Sequence, residues 1–308
     1  MRIRATVAAV SGALALSALA VPGAHAAGSA DHRADIAKVR EVARAASGKA
    51  AYTGSTGSDD EPYKLDLSFS NVKVNSGKPI VVGTTHRVSV PVTYSVKHGA
   101  SVDITADDFL MPVELYRGSY DEPVNFLFGD DFPSCTETSS TTATCKGTID
   151  VYPQELTNED AATWKAIGYA IALNGVDPED DNADWSKVGY VDQDALTTTK
   201  LQRYSKLTVN ASPEPVKKGK TITVTGLLSR ANWDTGKYAG YTVQPVGLQF
   251  RKKSSSTYTS TLKTVKSDSK GNLKTTTTAT VDGYFRYNFA GTSTTPAVKA
   301  TGDYVDVQ

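Results

Sequence analysis

Two cysteines, two methionines and four histidines in 308 residues withhold most of the side chains on which redox, soft-metal and acid–base chemistry rest. The chain has no Gly-x-Ser-x-Gly turn, no His-Glu-x-x-His pair and no Gly-x-x-x-x-Gly-Lys-Ser/Thr loop. A nucleophile elbow, a zinc-protease helix and a phosphate cradle are therefore all missing. His32, His86 and His98 are the histidines outside the leading segment. A strand running from His86 to His98 separates its ends by roughly 40 Å at about 3.3 Å per residue, so those two cannot serve one site. Carboxylates in the first half are too numerous to single out a glycosidase pair. The chain reads as a non-enzymatic protein, with a secreted hydrolase as the residual alternative.

Long apolar runs are equally scarce. The one candidate, residues 5–21, follows Arg2 and Arg4, is rich in alanine, and ends at Pro22-Gly23 before Ala24-His25-Ala26. This is the pattern of a secretory signal peptide over residues 1–26, cut after Ala26. It is short of the roughly 20 strongly apolar residues that a spanning helix needs. The expectation is a secreted, extracellular, soluble product with no membrane span after cleavage. In an oxidising compartment the two cysteines, Cys135 and Cys145, are expected to be joined. Zinc is the alternative for a cysteine pair, but no histidine or second cysteine pair stands beside them.

What the sequence does contain is alternation. Residues 27–62 read as a helix with Ile36, Val39, Ala43 and Ala46 on one small apolar face, followed by a Ser/Gly/Asp-rich flexible linker. From about Tyr63 the period becomes two. His86, Val88, Val90, Val92, Tyr94, Val96 and His98 alternate with polar residues, and Pro91 on the wet side marks an edge or a bulge. Leu65/Leu67/Phe69, Phe109/Met111/Val113/Leu115 and Ile149/Val151 repeat the pattern. Short strands separated by turn residues predict a β-sandwich. The string Leu156-Thr157-Asn158-Glu159-Asp160-Ala161-Ala162-Thr163-Trp164 is open to two readings. Thr157 and Asp160 have capping-box spacing for a helix. Equally, the string resembles the turn before the sixth strand of immunoglobulin-like domains, with Trp164 folded onto the core. The length suits two domains, residues 63–203 and 204–308.

The second of these carries a family resemblance. Val224-Thr225-Gly226, Ala231-Asn232-Trp233, Val246 to Arg251, Val265 to Gly271 and Gly283 to Gly291 resemble the immunoglobulin-like modules of exported actinobacterial proteins. The resemblance implies two immunoglobulin-like β-sandwiches in tandem, serving as stalks, spacers or surface-binding units, and it brings no active site.

Net charge is nearly nil, yet its halves differ. Residues 59–203 hold 11 Lys/Arg against 24 Asp/Glu, and residues 204–308 hold 15 against 6. Such asymmetry concerns partners rather than fold. Two sites follow as expectations. Asp177, Glu179, Asp181 and Asp184 form the densest acidic cluster and offer oxygen ligands for calcium, the alternative reading of the protein being a calcium-stabilised extracellular one. Lys217, Lys218, Lys220, Arg251, Lys252 and Lys253 lie in predicted turns that would meet a cell-wall or other anionic polymer. Specific nucleic-acid recognition is not expected, because those turns lack interleaved aromatics. The leading expectation is a secreted binding or spacer protein of the cell surface or matrix.

Overall fold

Period-two alternation becomes strand almost wherever the sequence carries it, and a computed structural model describes residues 28–46, 61–258 and 260–308. The expected signal peptide and most of the expected linker lie outside the described residues. Helix α1 (Gly28–Ala46) comes first. Twelve strands follow before residue 204: β1 (Tyr63–Lys64), β2 (Leu67–Val74), β3 (Ile80–Val82), β4 (Val88–His98), β5 (Phe109–Leu110), β6 (Val113–Gly118), β7 (Pro123–Leu127), β8 (Ser134–Ser139), β9 (Thr142–Val151), β10 (Thr163–Ala172), β11 (Gly189–Gln193) and β12 (Thr198–Arg203).

These strands make two facing sheets. One is antiparallel, in the order β2-β4-β9-β8. The other is centred on β10, with β5 and β6 along one side and β7 outside β6. Along the other side lie β11 and β12, joined in parallel by β1 and β3 respectively. This is the two-sheet arrangement of an immunoglobulin-like sandwich with an added outer strand. Its core fills from the alternating faces: Val90, Val92, Tyr94 and Val96 of β4 meet Trp164, Ala166 and Ala170 of β10. Gly168 also points inward, and a Cβ there would stand 2.9 Å from the Phe69 ring, so only glycine lets β2 come this close.

Pro91 lies within a central strand rather than on an edge strand. It pairs with Thr148 of β9, while the β2 ladder has already ended at Val74–Val92 after a register shift between Ser70 and Lys73. Among the described residues, the missing N–H therefore falls where β4 has no strand partner on that side.

The Thr157–Trp164 ambiguity resolves as a turn. One 3₁₀ turn, Asn158–Asp160, is closed by the capping box between Thr157 and Asp160, and β10 then begins. Trp164 is fully buried and its Nε1 donates to Asp160 O at 2.9 Å, the role a tyrosine plays at the corner of many such sandwiches. Arg117 pins the same turn by an ion pair to Asp160 at 2.9 Å. The Cys135–Cys145 disulfide joins directly opposed residues of β8 and β9, within one sheet.

The remaining strands are β13 (Ser205–Leu207), β14 (Asn210–Ser212), β15 (Thr221–Asn232), β16 (Lys237–Gly240), β17 (Pro245–Lys252), β18 (Lys263–Lys266), β19 (Asn272–Thr278), β20 (Gly283–Phe289), β21 (Val298–Lys299) and β22 (Asp303–Val305). One sheet centres on β15, flanked by β13 and β14 on one side and by β16 and β19 on the other; the second runs β18-β17-β20, with β21 and β22 beyond. Ile222, Val224, Leu248, Leu273, Tyr287 and Phe289 fill the space between them. Tyr287 is completely buried, donates to Val224 O at 2.9 Å, and has its hydroxyl pKa pushed up to about 12 by burial.

The two sandwiches touch. The turn after β15 carries Trp233, only 4% exposed, into the first domain's core, where its Nε1 donates to Gly83 O at 2.8 Å. Asn158 grips the same turn: its Oδ1 accepts from Trp233 N, its Nδ2 donates to Asn232 Oδ1 and Asp234 Oδ2, and its backbone N donates to Asp234 Oδ1. Opposite, Gln202 Nε2 donates to the carbonyls of Thr292 and Ser293, and Arg203 Nε to Ala231 O. Burial, with Arg230 nearby, lowers the Arg203 pKa to about 10.

Candidate binding surfaces of the two domains

The outer face of the first domain's β10 sheet is unusually apolar for a surface. Tyr116 of β6 and Ile167, Tyr169 and Ile171 of β10 all point away from the inner core. Helix α1 lies across them. Among the described side chains of α1, Ile36 and Val39 are buried there, and Arg40 and Arg44 lie against its rings. The Arg40 guanidinium sits 5.1–5.3 Å from the centroids of Tyr120, Phe126 and Tyr169, and Arg44 sits 4.7 Å from Tyr120 while donating to its carbonyl at 2.8 Å. Of the small apolar face expected from Ile36, Val39, Ala43 and Ala46, Ile36 and Val39 are docked and Ala43 is half-buried, while the side chain of Ala46 lies outside those described. Burial drives the hydroxyl pKa of Tyr169 far above the ordinary tyrosine value.

Among the described residues no helix lies over the corresponding outer face of the second domain. Arg251, Tyr284 and Tyr304 form one cross-strand row, and Gln249 and Arg286 the next. The Arg251 guanidinium stacks 3.7 Å from Tyr284, and Arg286 stacks 3.7 Å from Tyr258, which arrives from the loop after β17. Tyr284 and Tyr304 pack with centroids 5.2 Å apart, and Lys253 Nζ lies 5.2 Å from Tyr304. Sequence reasoning named Arg251 and Lys253 but not Tyr258, Tyr284, Arg286 or Tyr304. Alternation along β20 marks Tyr284 and Arg286 as outward-facing, but their neighbours depend on register across strands distant in sequence.

The expected polymer-binding residues sit at one end of this domain, away from the first. Lys217, Lys218 and Lys220 are exposed in the turn before β15, whose amides bond to Gln308 O and Ala279 O. Lys253 reaches the same end, its N donating to Asp282 O and its Nζ lying 3.6 Å from Asp282 Oδ2. Asp282 also accepts from Val307 N and the Tyr304 hydroxyl, which hold its carboxyl below the usual carboxylate range. The residues read as a turn at Arg251 and Lys252 are instead the end of β17, so Arg251 belongs to the sheet face rather than the tip.

The acidic cluster of the first domain is tied up in its own loop. Asp177 Oδ1 accepts from Glu179 N, Asp180 Oδ1 accepts from Asn182 N, and Asp184 pairs with Lys187 at 2.8 Å and accepts from Ser186. Glu179 and Asp181 are exposed, and Glu179, Asp180 and Asp181 line a groove beside Lys38 and Val42 of α1. Among the described residues no group of three or more His, Cys, Asp or Glu side chains is placed to hold a metal ion. His86 is exposed beside Thr85, whereas His98 is buried, 4% exposed, with Nδ1 3.0 Å from Gly99 O. His98 is buried because it continues the inward-facing alternation of β4 to the strand's last residue. Among the described residues no helix is long and apolar enough to cross a membrane.

No family model and no curated protein matches the chain. Several solved structures share low overall similarity with the chain. The adhesin FdeC of Escherichia coli is 12% identical, with 78% of this chain and 65% of that one covered and a TM-score of 0.28. The adhesin InvE of Yersinia pseudotuberculosis is 13% identical over 78% of this chain and 60% of that one, with a TM-score of 0.24. The ectodomain of mouse nectin-like molecule 4 is 10% identical over 80% and 65%, with a TM-score of 0.21. The chain spans about two thirds or less of the length of each. Similarity at this level carries no functional argument, and the sandwich assignment rests on the strand pairing itself.

Proposed function

We propose that this is an extracellular, non-enzymatic binding protein whose second domain holds an anionic polymer of the cell surface or matrix. The observation that carries the reading is that the turn of Lys217, Lys218 and Lys220 and the backbone of Lys253 are tied to the C-terminal strand end and to Asp282, in a domain holding 15 Lys/Arg against 6 Asp/Glu. The acidic first domain is held at the opposite end through Trp233. Such a layout aims one charged end at a polyanion while the other repels it. The intact chain should be retained on an immobilised anionic polymer at low salt and released as salt screens the charges, over a Debye length of about 10 Å at 0.1 M. Retention that ignores salt, or no retention at low salt, ends this reading.

A further inference from the structure

Cations on protein surfaces usually find carboxylates. On the open face of the second domain they find rings instead. Arg251 lies on Tyr284 and Arg286 on Tyr258, each at 3.7 Å. Among the described residues no carboxylate comes within ion-pair distance of either guanidinium. Each arginine commits one N–H locally: Arg251 to Ser255 O at 2.8 Å, and Arg286 to Gln249 Oε1 at 2.9 Å. A guanidinium carries five N–H donors in a planar fork suited to a carboxylate or phosphate, and a ring beneath it orients the fork without neutralising it.

One loop side chain crosses the face, and Arg251, Arg286 and Tyr284 stay half-buried beside it. Tyr258 reaches across it to Gly302, where a Cβ would collide with the tyrosine hydroxyl. Side chains on neighbouring strands diagonal to one another, as Arg251 and Arg286 are, sit about 7 Å apart. The layer therefore offers two spaced, oriented forks between three tyrosines, laid over a sheet rather than sunk in a groove. A peptide strand would add to a sheet edge through its backbone. An extended chain of rings bearing regular acidic groups fits the face itself, ring against ring and acid against fork.

We propose that the outer face of the β17–β20–β22 sheet, through Arg251, Arg286, Tyr258 and Tyr284, is a binding surface for an acidic polysaccharide. This rests on the polymer-binding reading above and relocates its specific contact from the lysine tip to the sheet face. The test compares the intact chain with two multiple variants, R251Q/R286Q and K217Q/K218Q/K220Q, on immobilised polygalacturonate, with polyglutamate and neutral dextran as parallel matrices. Circular dichroism and melting of each variant serve as the check on folding. The sheet-face variant is expected to lose at least tenfold in affinity for polygalacturonate, and the lysine variant to lose about threefold while steepening no salt dependence. Y258A, which removes the ring under Arg286 but no charge, should lose affinity for polygalacturonate and little for polyglutamate. If the lysine variant loses more than the sheet-face variant, the sheet face is wrong while the polymer reading stands. If polyglutamate is held as tightly as polygalacturonate, the saccharide assignment is wrong. If neither polyanion retains the intact chain, the polymer reading itself has failed.

Discussion

The two outer faces built on β10 and on β20 solve the same chemical problem in opposite ways. Each presents tyrosines, and each stacks arginines on them. In the first domain the arginines come from α1, and the helix that brings Arg40 and Arg44 also buries Ile36 and Val39, closing the face. In the second domain they come from the strands; among the described residues no helix crosses the face, and Arg251, Tyr284 and Arg286 stay half-buried beside the loop that brings Tyr258. The source of the cation, not the cation–ring contact, decides whether a sheet face is core or surface. Burial follows: β10 is buried at every position after Lys165, whereas β20 alternates strictly between buried and half-buried residues.

Both faces belong to one body joined through Trp233, and the most disruptive test acts there. Trp233→Ala should cost about 3–5 kcal/mol, the usual range for truncating a buried tryptophan. Urea unfolding should then split from one transition into two, and a single unshifted transition would contradict the coupling. Next comes the covered face. Val39→Asp should undock α1, lower stability by about 3 kcal/mol, the order expected for two buried aliphatic side chains, and expose an apolar face that binds a hydrophobic dye. The matching change on the open face, such as Arg286→Gln, should bind no dye. A finer contrast uses arginines alone: Arg40→Gln should cost about 1 kcal/mol and Arg286→Gln under about 0.5 kcal/mol, because only the first ring-stacked cation lies between two packed elements. Equal costs would mean that the helix does not depend on its arginines.

The smallest effect is set by acid. The carboxyl groups of Asp268 and Asp282 are held low, Asp268 by Asn272 and neighbouring backbone N–H groups, Asp282 by Val307 N and the Tyr304 hydroxyl. A carboxyl with a depressed folded-state pKa contributes stability that is present above its unfolded value near pH 4 and lost as pH falls through the folded value. Melting temperature should thus be flat from neutrality to about pH 4 and fall below it, with Asp282→Asn removing part of that fall.

Much of this architecture was legible in the residues. The alternation of Val90, Val92, Tyr94 and Val96 marked a half-buried strand, and β4 covers it. Trp164 after Asp160 had the spacing of a corner residue, and its indole N–H closes that corner. Cys135 and Cys145 had only each other, and they are joined. The docked helix was harder to see, because hydrophobic periodicity counts Ile36 and Val39 but gives no weight to arginines that pack by stacking on rings. Trp233 stood in a recognisable string, yet nothing local says that a tryptophan at the end of one domain's strand is buried in the other domain. The open face was hidden for a related reason: Tyr258, Tyr284, Arg286 and Tyr304 are brought together by antiparallel register between segments far apart in sequence.

If one face is closed and its counterpart binds a polyanion, arginine-directed labelling of the intact chain with phenylglyoxal, read by peptide mass, measures both at once. Arg251 and Arg286 should react readily and become protected when polygalacturonate is added, whereas Arg40, held between α1 and three rings, should react slowly whether or not the polymer is present. Rapid labelling of Arg40, or labelling of Arg251 and Arg286 unchanged by the polymer, would contradict this arrangement.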